Sequence, residues 1–139
     1  MKPGSIFFHP QFLFHDGSRA DKLVFVLGGT ASKIVVAKTT SQDRYRRLDH
    51  GCQGGDHYPG FLLTYGCCFL TKNTWLCFNE FYEFDLIELQ SRMVGGTIYR
   101  LGEISAELTR DAQACAVSTD DISFDQEQIV RSSFVPLSP

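Results

Sequence analysis

Apolar and polar positions along this chain form many short runs separated by turn residues. SIFFH (5–9) and LVFVLG (23–28) are rich in β-branched and aromatic residues, which predicts strands. Between them, residues 15–22 are polar, and Asp16-Gly17 favours a turn because glycine accepts a positive φ without a steric clash. Gly28-Gly29 ends the second run and SKIVVAK (32–38) predicts a third strand, so 23–38 reads as a hairpin. FLLTYGCCFL (61–70) and NTWLCF (73–78) flank a turn at Thr71-Lys72. FYEFDLIEL (81–89) predicts a strand that turns polar, with a helix as the alternative, and GGTIYRLGEI (95–104) a further short strand. The period then lengthens. Ile104, Leu108, Ala112 and Cys115 recur about every 3.6 residues, with Ser105 placed as an N-cap, predicting a helix over 105–117. Asp120-Asp121 is placed to cap a second, short helix reaching Val130. Many short strands and a late helix predict a mainly-β fold, a small bent antiparallel sheet or barrel.

Residues 42–60 break this pattern. They carry three arginines and two histidines with almost no apolar periodicity, and irregular loops of this length are uncommon in small domains unless functional or mobile. At 139 residues the chain predicts one domain, 1–131, with 42–60 as an irregular insertion and 132–139 as a tail. A composition of 43% apolar and 21% charged residues excludes a wholly disordered chain, and a net charge of −3 makes no general case for nucleic-acid binding. No apolar run approaches the ~18 residues of a membrane helix, and the N-terminus lacks the features of a secretory signal. The expectation is a cytoplasmic protein, with no membrane association, whose five cysteines are reduced.

Standard nucleotide-binding and hydrolase motifs are absent. Gly28-Gly29 follows a strand but no GxGxxG or GK(S/T) completes it. His50, Cys52 and His57, with Cys67, Cys68 or Cys77, form a possible zinc set, but they lack the close CxxC-type pairs of structural sites, so no metal is expected. More informative are His15, Asp16, Arg19 and Lys22 in one loop and Lys38, Thr39, Thr40, Ser41, Arg44, Arg46 and Arg47 after the hairpin. If 23–28 and 32–38 pair, Lys22 and Thr39 lie at the same end of the sheet. Cations that balance developing charge, hydroxyls that orient phosphate oxygens and an imidazole that moves a proton suit a phosphodiester.

The order of these pieces resembles the MazF/PemK/Kid family of toxins. The opening Lys2-Pro3-Gly4-Ser5-Ile6-Phe7, the loop Asp16-Gly17-Ser18, the strand Val24-Phe25-Val26-Leu27 and the run Val35 to Ser41 are similar to its "PGDI" start, polar loop, "VVL" strand and threonine-rich element. Trp75 to Phe81 resembles its "V-x-L-x-D-Q-I" strand, and Arg100 to Ser105 its "I-G-x-L-S" entry into the last helix. The resemblance implies an SH3-like barrel of the CcdB/MazF type with a terminal helix. It implies cleavage of single-stranded RNA without cofactor or metal, a homodimer, and a small antitoxin protein that occupies the RNA groove. Carried over by position, Lys22 stands at the family's loop arginine, Leu23 at its proline, and Thr39 or Thr40 at its active-site threonine. Asn79 stands at its acid and Cys77 at an arginine found in some members.

The expected endoribonuclease would use His15 as acid or base, Arg19 and Lys22 to stabilise the phosphorane, and Thr39 and Thr40 to position the phosphate. Lys38, Ser41, Arg44, Arg46 and Arg47 would hold RNA. The RNA's own 2′-OH would attack, leaving a 2′,3′-cyclic phosphate. The alternative is a catalytically degenerate barrel that binds protein or nucleic acid. Leu23, Cys77, Asn79 and the net acidity favour it, and the aromatic run from Trp75 to Phe84 would supply an interface.

Overall fold

A computed structural model describes residues 1–136. Eight strands build one sheet among the described residues: β1 Ser5–Leu13, β2 Arg19–Gly29, β3 Lys33–Thr40, β4 Gly51–Cys52, β5 Gly60–Leu63, β6 Thr74–Cys77, β7 Tyr82–Asp85 and β8 Tyr99–Glu103. Three helices accompany them: α1 Leu86–Val94, α2 Ala106–Val117 and α3 Phe124–Ser132. The strand order is β4-β5-β6-β3-β2-β1-β8, with β7 also paired to β3, and every pairing is antiparallel.

The predicted hairpin forms, with Val24 opposite Lys38 and Val26 opposite Val36. Its two strands are apolar at every central position because both faces of the sheet are covered. Phe25, Leu27, Val35 and Ala37 pack with Ala112, Cys115 and Ala116 of α2 and Val130 of α3. Val24, Val26, Ile34 and Val36 pack on the other face with Phe7, Phe12, Tyr82 and Leu89. The glycine pair does not turn the hairpin. Gly28 and Gly29 stay in β2 opposite Val35 and Ile34, and a bulge precedes Gly28, where a Cβ would come within 2.8 Å of Ser133.

The sheet is not closed. One edge of β3 is shared, with Lys33–Val36 paired to β7 and Thr39–Thr40 paired to β6, so the sheet branches there and ends at β4 and β8. No helix among the described residues is long and apolar enough to cross a membrane.

Ser105 caps α2 by accepting from the Leu108 N–H. α3 starts later than predicted: Ser123, not the aspartate pair, caps it, through a reciprocal capping box with Gln126. Residues 137–139 of the predicted tail lie outside the described residues. Of residues 81–89, expected as strand with a helix as the alternative, Tyr82–Asp85 are β7 and residues 86–89 open α1. Asp85 accepts from the Glu88 N–H, and Leu86, Leu89 and Met93 carry a helical period into the second core cluster. Residues 64–70, expected as strand, are a loop, so Cys67 and Cys68 do not alternate across a sheet.

Not all the thiols are reduced. Cys52 and Cys115 form a disulfide across 63 residues, tying the insertion to α2. β4 is short, but it places Cys52 beside that helix. The expectation of reduced cysteines therefore holds only for Cys67, Cys68 and Cys77.

Candidate functional site

β2 and β3 part company at one end of the hairpin. Their pairing stops at Val24 and Lys38, beyond which β2 pairs with β1 alone and β3 with β6 alone. The gap is bridged by a side chain: the Thr39 hydroxyl donates to the Leu23 carbonyl at 2.7 Å. A cleft of about 340 Å³ opens there, lined by Asp21, Lys22, Thr39, Thr40, Ser41, Thr71, Lys72 and Thr74. It thus presents two ammonium groups, four threonines, one serine and one carboxylate.

The cleft continues into a charged cluster. By continuation of the register that pairs Thr39 with Leu76, Lys38 stands opposite Cys77. Lys38 forms an ion pair with Glu80, and its Nζ lies 4.7 Å from the centre of the Phe14 ring. Lys22 Nζ lies 5.8 Å from the same ring. Arg46 reaches in from the insertion and donates from Nη2 to Cys77 Sγ at 3.8 Å. Lys22, Lys38 and Arg46 therefore surround one buried thiol.

Burial lowers the Lys22 pKa, and the charges of Lys38 and Arg46 lower it further. Burial raises the Cys77 pKa and outweighs the three cations, which favour the thiolate. Burial also opposes ionisation of Glu80, but hydrogen bonds from Lys38 and Tyr82 outweigh it and hold the carboxyl below its usual range. Tyr82 is shifted upward, by burial and then by Glu80. Among the described residues Lys22 makes no ion pair.

His15 is beside this cluster. Its ring stacks on Tyr82 with centroids 4.1 Å apart, and Nε2 donates to the Phe81 carbonyl at 2.9 Å. In the neutral ring that bond leaves Nδ1 as the acceptor.

The other predicted residues divide. Thr40 and Ser41 line the cleft, and Thr40 Oγ1 accepts from the Gln42 N–H at 3.2 Å. Thr39 is buried with its hydroxyl engaged by Leu23. Arg19 donates to the Gln11 carbonyl at 3.2 Å, on the β1–β2 hairpin. Arg47 pairs with Asp56 at 2.7 Å and Asp49 at 3.1 Å, so it staples the insertion. Arg44 is exposed. His50 Nδ1 bonds the Thr64 hydroxyl at 3.0 Å and Cys52 is held in its disulfide, so the possible zinc set is not assembled.

Sequence reasoning missed Glu80 and Lys72. Glu80 follows Asn79, where the resemblance sought an acid, and the one-residue offset was visible in the sequence. Lys72 was read as part of the turn between 61–70 and 73–78, and no local pattern tied that turn to the hairpin. No protein-family model matches the chain, and no curated protein matches it.

Proposed function

We propose that the protein is a MazF/PemK-like endoribonuclease toxin acting on single-stranded RNA at the cleft between β2 and β3. One observation carries the reading: Lys22, Lys38 and Arg46, from three separate segments, converge beside a cleft lined with hydroxyls, with Glu80 and His15 adjacent. The open sheet is then a variant of the SH3-like barrel of the CcdB/MazF type, opened where β3 divides its edge between β6 and β7.

In this reaction the RNA's 2′-oxygen forms a bond to the adjacent phosphorus as the bond to the 5′-oxygen breaks. The 2′-OH proton passes to His15 Nδ1. Lys22, whose lowered pKa makes it a better proton donor, protonates the departing 5′-oxygen. Arg46 and Lys38 balance the phosphorane charge, and Thr40 and Ser41 hold its oxygens. Arg46 takes the place of the arginine that the family resemblance seeks at Cys77, and Glu80 that of the acid it seeks at Asn79. The partners are single-stranded RNA, a small antitoxin protein and a second copy of the chain. The open edge at β8, with Val94, Tyr99 and Leu101 exposed nearby, supports the dimer.

The second reading is a binding module without cleavage. It is favoured by the way Lys38 and Tyr82 occupy the Glu80 carboxylate. One experiment separates the two: incubation with mixed-sequence single-stranded RNA in EDTA, with end-group analysis. Fragments ending in 2′,3′-cyclic phosphate, lost with Lys22→Ala, are expected. Intact RNA that is still bound would select the module, and RNA neither bound nor cut would end the endoribonuclease reading and leave only a protein-binding module.

A further inference from the structure

We propose that the insertion 42–60 is a platform on which a nucleobase of single-stranded RNA stacks, beside the phosphate site. This rests on the reading of the cleft as an RNA site and adds a second contact to it.

Tyr45 carries the argument. The residue is 76% exposed, although its φ is +63°, a left-handed conformation that bulky residues avoid. An exposed aromatic ring on strained backbone gains little from packing within its own chain, and such outliers cluster at functional sites. The ring lies nearly parallel to that of Tyr58, at 18° and 5.9 Å between centroids. The Arg46 guanidinium lies 5.2 Å from the Tyr58 ring centre, and His57 meets the same ring edge-on at 4.8 Å. Two tyrosines, an arginine and a histidine thus share one small surface. Arg46 belongs to this surface and to the Cys77 cluster at once.

The surface is held in place. Gln53 Nε2 donates to the carbonyls of Arg47 and Asp49 at 2.9 Å each, and Trp75 Nε1 donates to the Arg47 carbonyl at 3.3 Å. The Arg47–Asp56 ion pair and the Cys52–Cys115 disulfide close the segment. An aromatic pair beside cations is the combination that binds single strands: cations track the phosphates, and every base offers a face to stack. A phosphate at Arg46 would leave its neighbouring base within reach of Tyr45.

The test is fluorescence anisotropy with a short, fully 2′-O-methylated oligonucleotide of mixed sequence, which cannot be cleaved through its 2′ oxygens. An abasic oligomer with the same phosphate spacing is run beside it. Tyr45→Ala is expected to bind the mixed oligomer about ten-fold more weakly with an unchanged salt slope, and Tyr45→Phe to bind as the wild type does. The abasic oligomer should not distinguish Tyr45→Ala from wild type. Tyr58→Leu serves as a second variant, and thermal melts confirm folding. If Tyr45→Ala and Tyr58→Leu bind normally while Lys22→Ala binds weakly, the platform is overturned and the RNA site stands; the tyrosine pair is then left for a protein contact. If the wild type binds no oligomer, the RNA reading and the platform fail together.

Discussion

The Arg46 guanidinium lies 3.8 Å from the Cys77 sulfur, although 31 residues separate them in the chain. Cys77 ends β6 and is buried, while Arg46 comes from an insertion with little regular structure. Their meeting links the two parts of the molecule that differ most in character. The rigid sheet supplies Lys22 and Lys38, and the insertion supplies the third cation. Half-buried like charges repel and lose hydration, so this arrangement costs stability. Such costs persist at sites where an anion is to be bound.

Replacing Lys22 by methionine should therefore stabilise the protein and weaken anion binding. Burial lowers the Lys22 pKa in the folded state. The penalty for its charge is fully present below that folded pKa and is relieved as pH rises from there toward the unfolded value of 10.5. Methionine keeps the chain length and removes the charge. A gain of about 0.5–1 kcal/mol in denaturant unfolding at pH 7 is expected, with RNA affinity lost. A destabilised Lys22→Met would mean that the ammonium is satisfied by groups in its surroundings.

Much of the sheet was legible because β2 and β3 are buried on both faces and so read as unbroken apolar runs. α2 was legible because Ser105 and a 3.6-residue period agree. At α1 a strand was preferred and a helix kept only as the alternative, because Phe81, Tyr82 and Phe84 spread a strand-like signal over the Leu86, Leu89 and Met93 period that follows. At the site, the hairpin register brought Lys22, Lys38 and Thr40 to one end of the sheet on local pattern alone. Arg46 against Cys77 and Cys52 against Cys115 depend on where a long insertion folds back, and no local period encodes that.

Cysteine chemistry should separate into two classes. Alkylation of the denatured protein without reductant should modify Cys67, Cys68 and Cys77 and spare Cys52 and Cys115, as read by mass spectrometry. In the folded protein Cys77 should stay unmodified, because it is 2% exposed and burial holds its pKa up. Burial and the neighbouring Cys68 raise the Cys67 pKa to about 11, so it should react slowly at pH 7.5. Removing the disulfide with Cys52→Ser and Cys115→Ser should cost about 2–4 kcal/mol, since it closes a long loop in the unfolded chain. Modification of five cysteines without reductant would show that the disulfide does not form.

Gly60 should tolerate no side chain. A Cβ there would come within 2.4 Å of the Leu76 carbonyl oxygen, and Gly60 is paired with Cys77 across β5 and β6. Gly60→Ala should force the two strands apart and destabilise by about 1–3 kcal/mol. Gly55, where nothing lies within 4 Å of an added Cβ, is the control, and Gly55→Ala should melt within a degree or so of wild type. Equal melting temperatures for the two variants would refute the close approach of β5 to β6.

Stability should fall on acidification because of His9. The residue is 4% exposed, stacks on Phe84 with centroids 5.3 Å apart and meets Phe12 edge-on. Its Nδ1 donates to the Pro10 carbonyl at 2.9 Å. Burial lowers its pKa; the Pro10 bond opposes this, and the positive charge of Arg92 adds to the lowering. Glu83, Asp85 and Glu88 line the cavity beside it. Above the unfolded value of 6.5, His9 is neutral in both states and costs nothing. As pH falls below 6.5 the unfolded chain takes up a proton that the folded protein resists, so stability declines until the folded pKa is reached. His9→Phe keeps the aromatic packing and removes the titration. Denaturant unfolding at pH 7.5 and pH 5.5 should show a loss for the wild type that is largely absent in His9→Phe. An equal loss in both would show that His9 is not the source of the acid sensitivity.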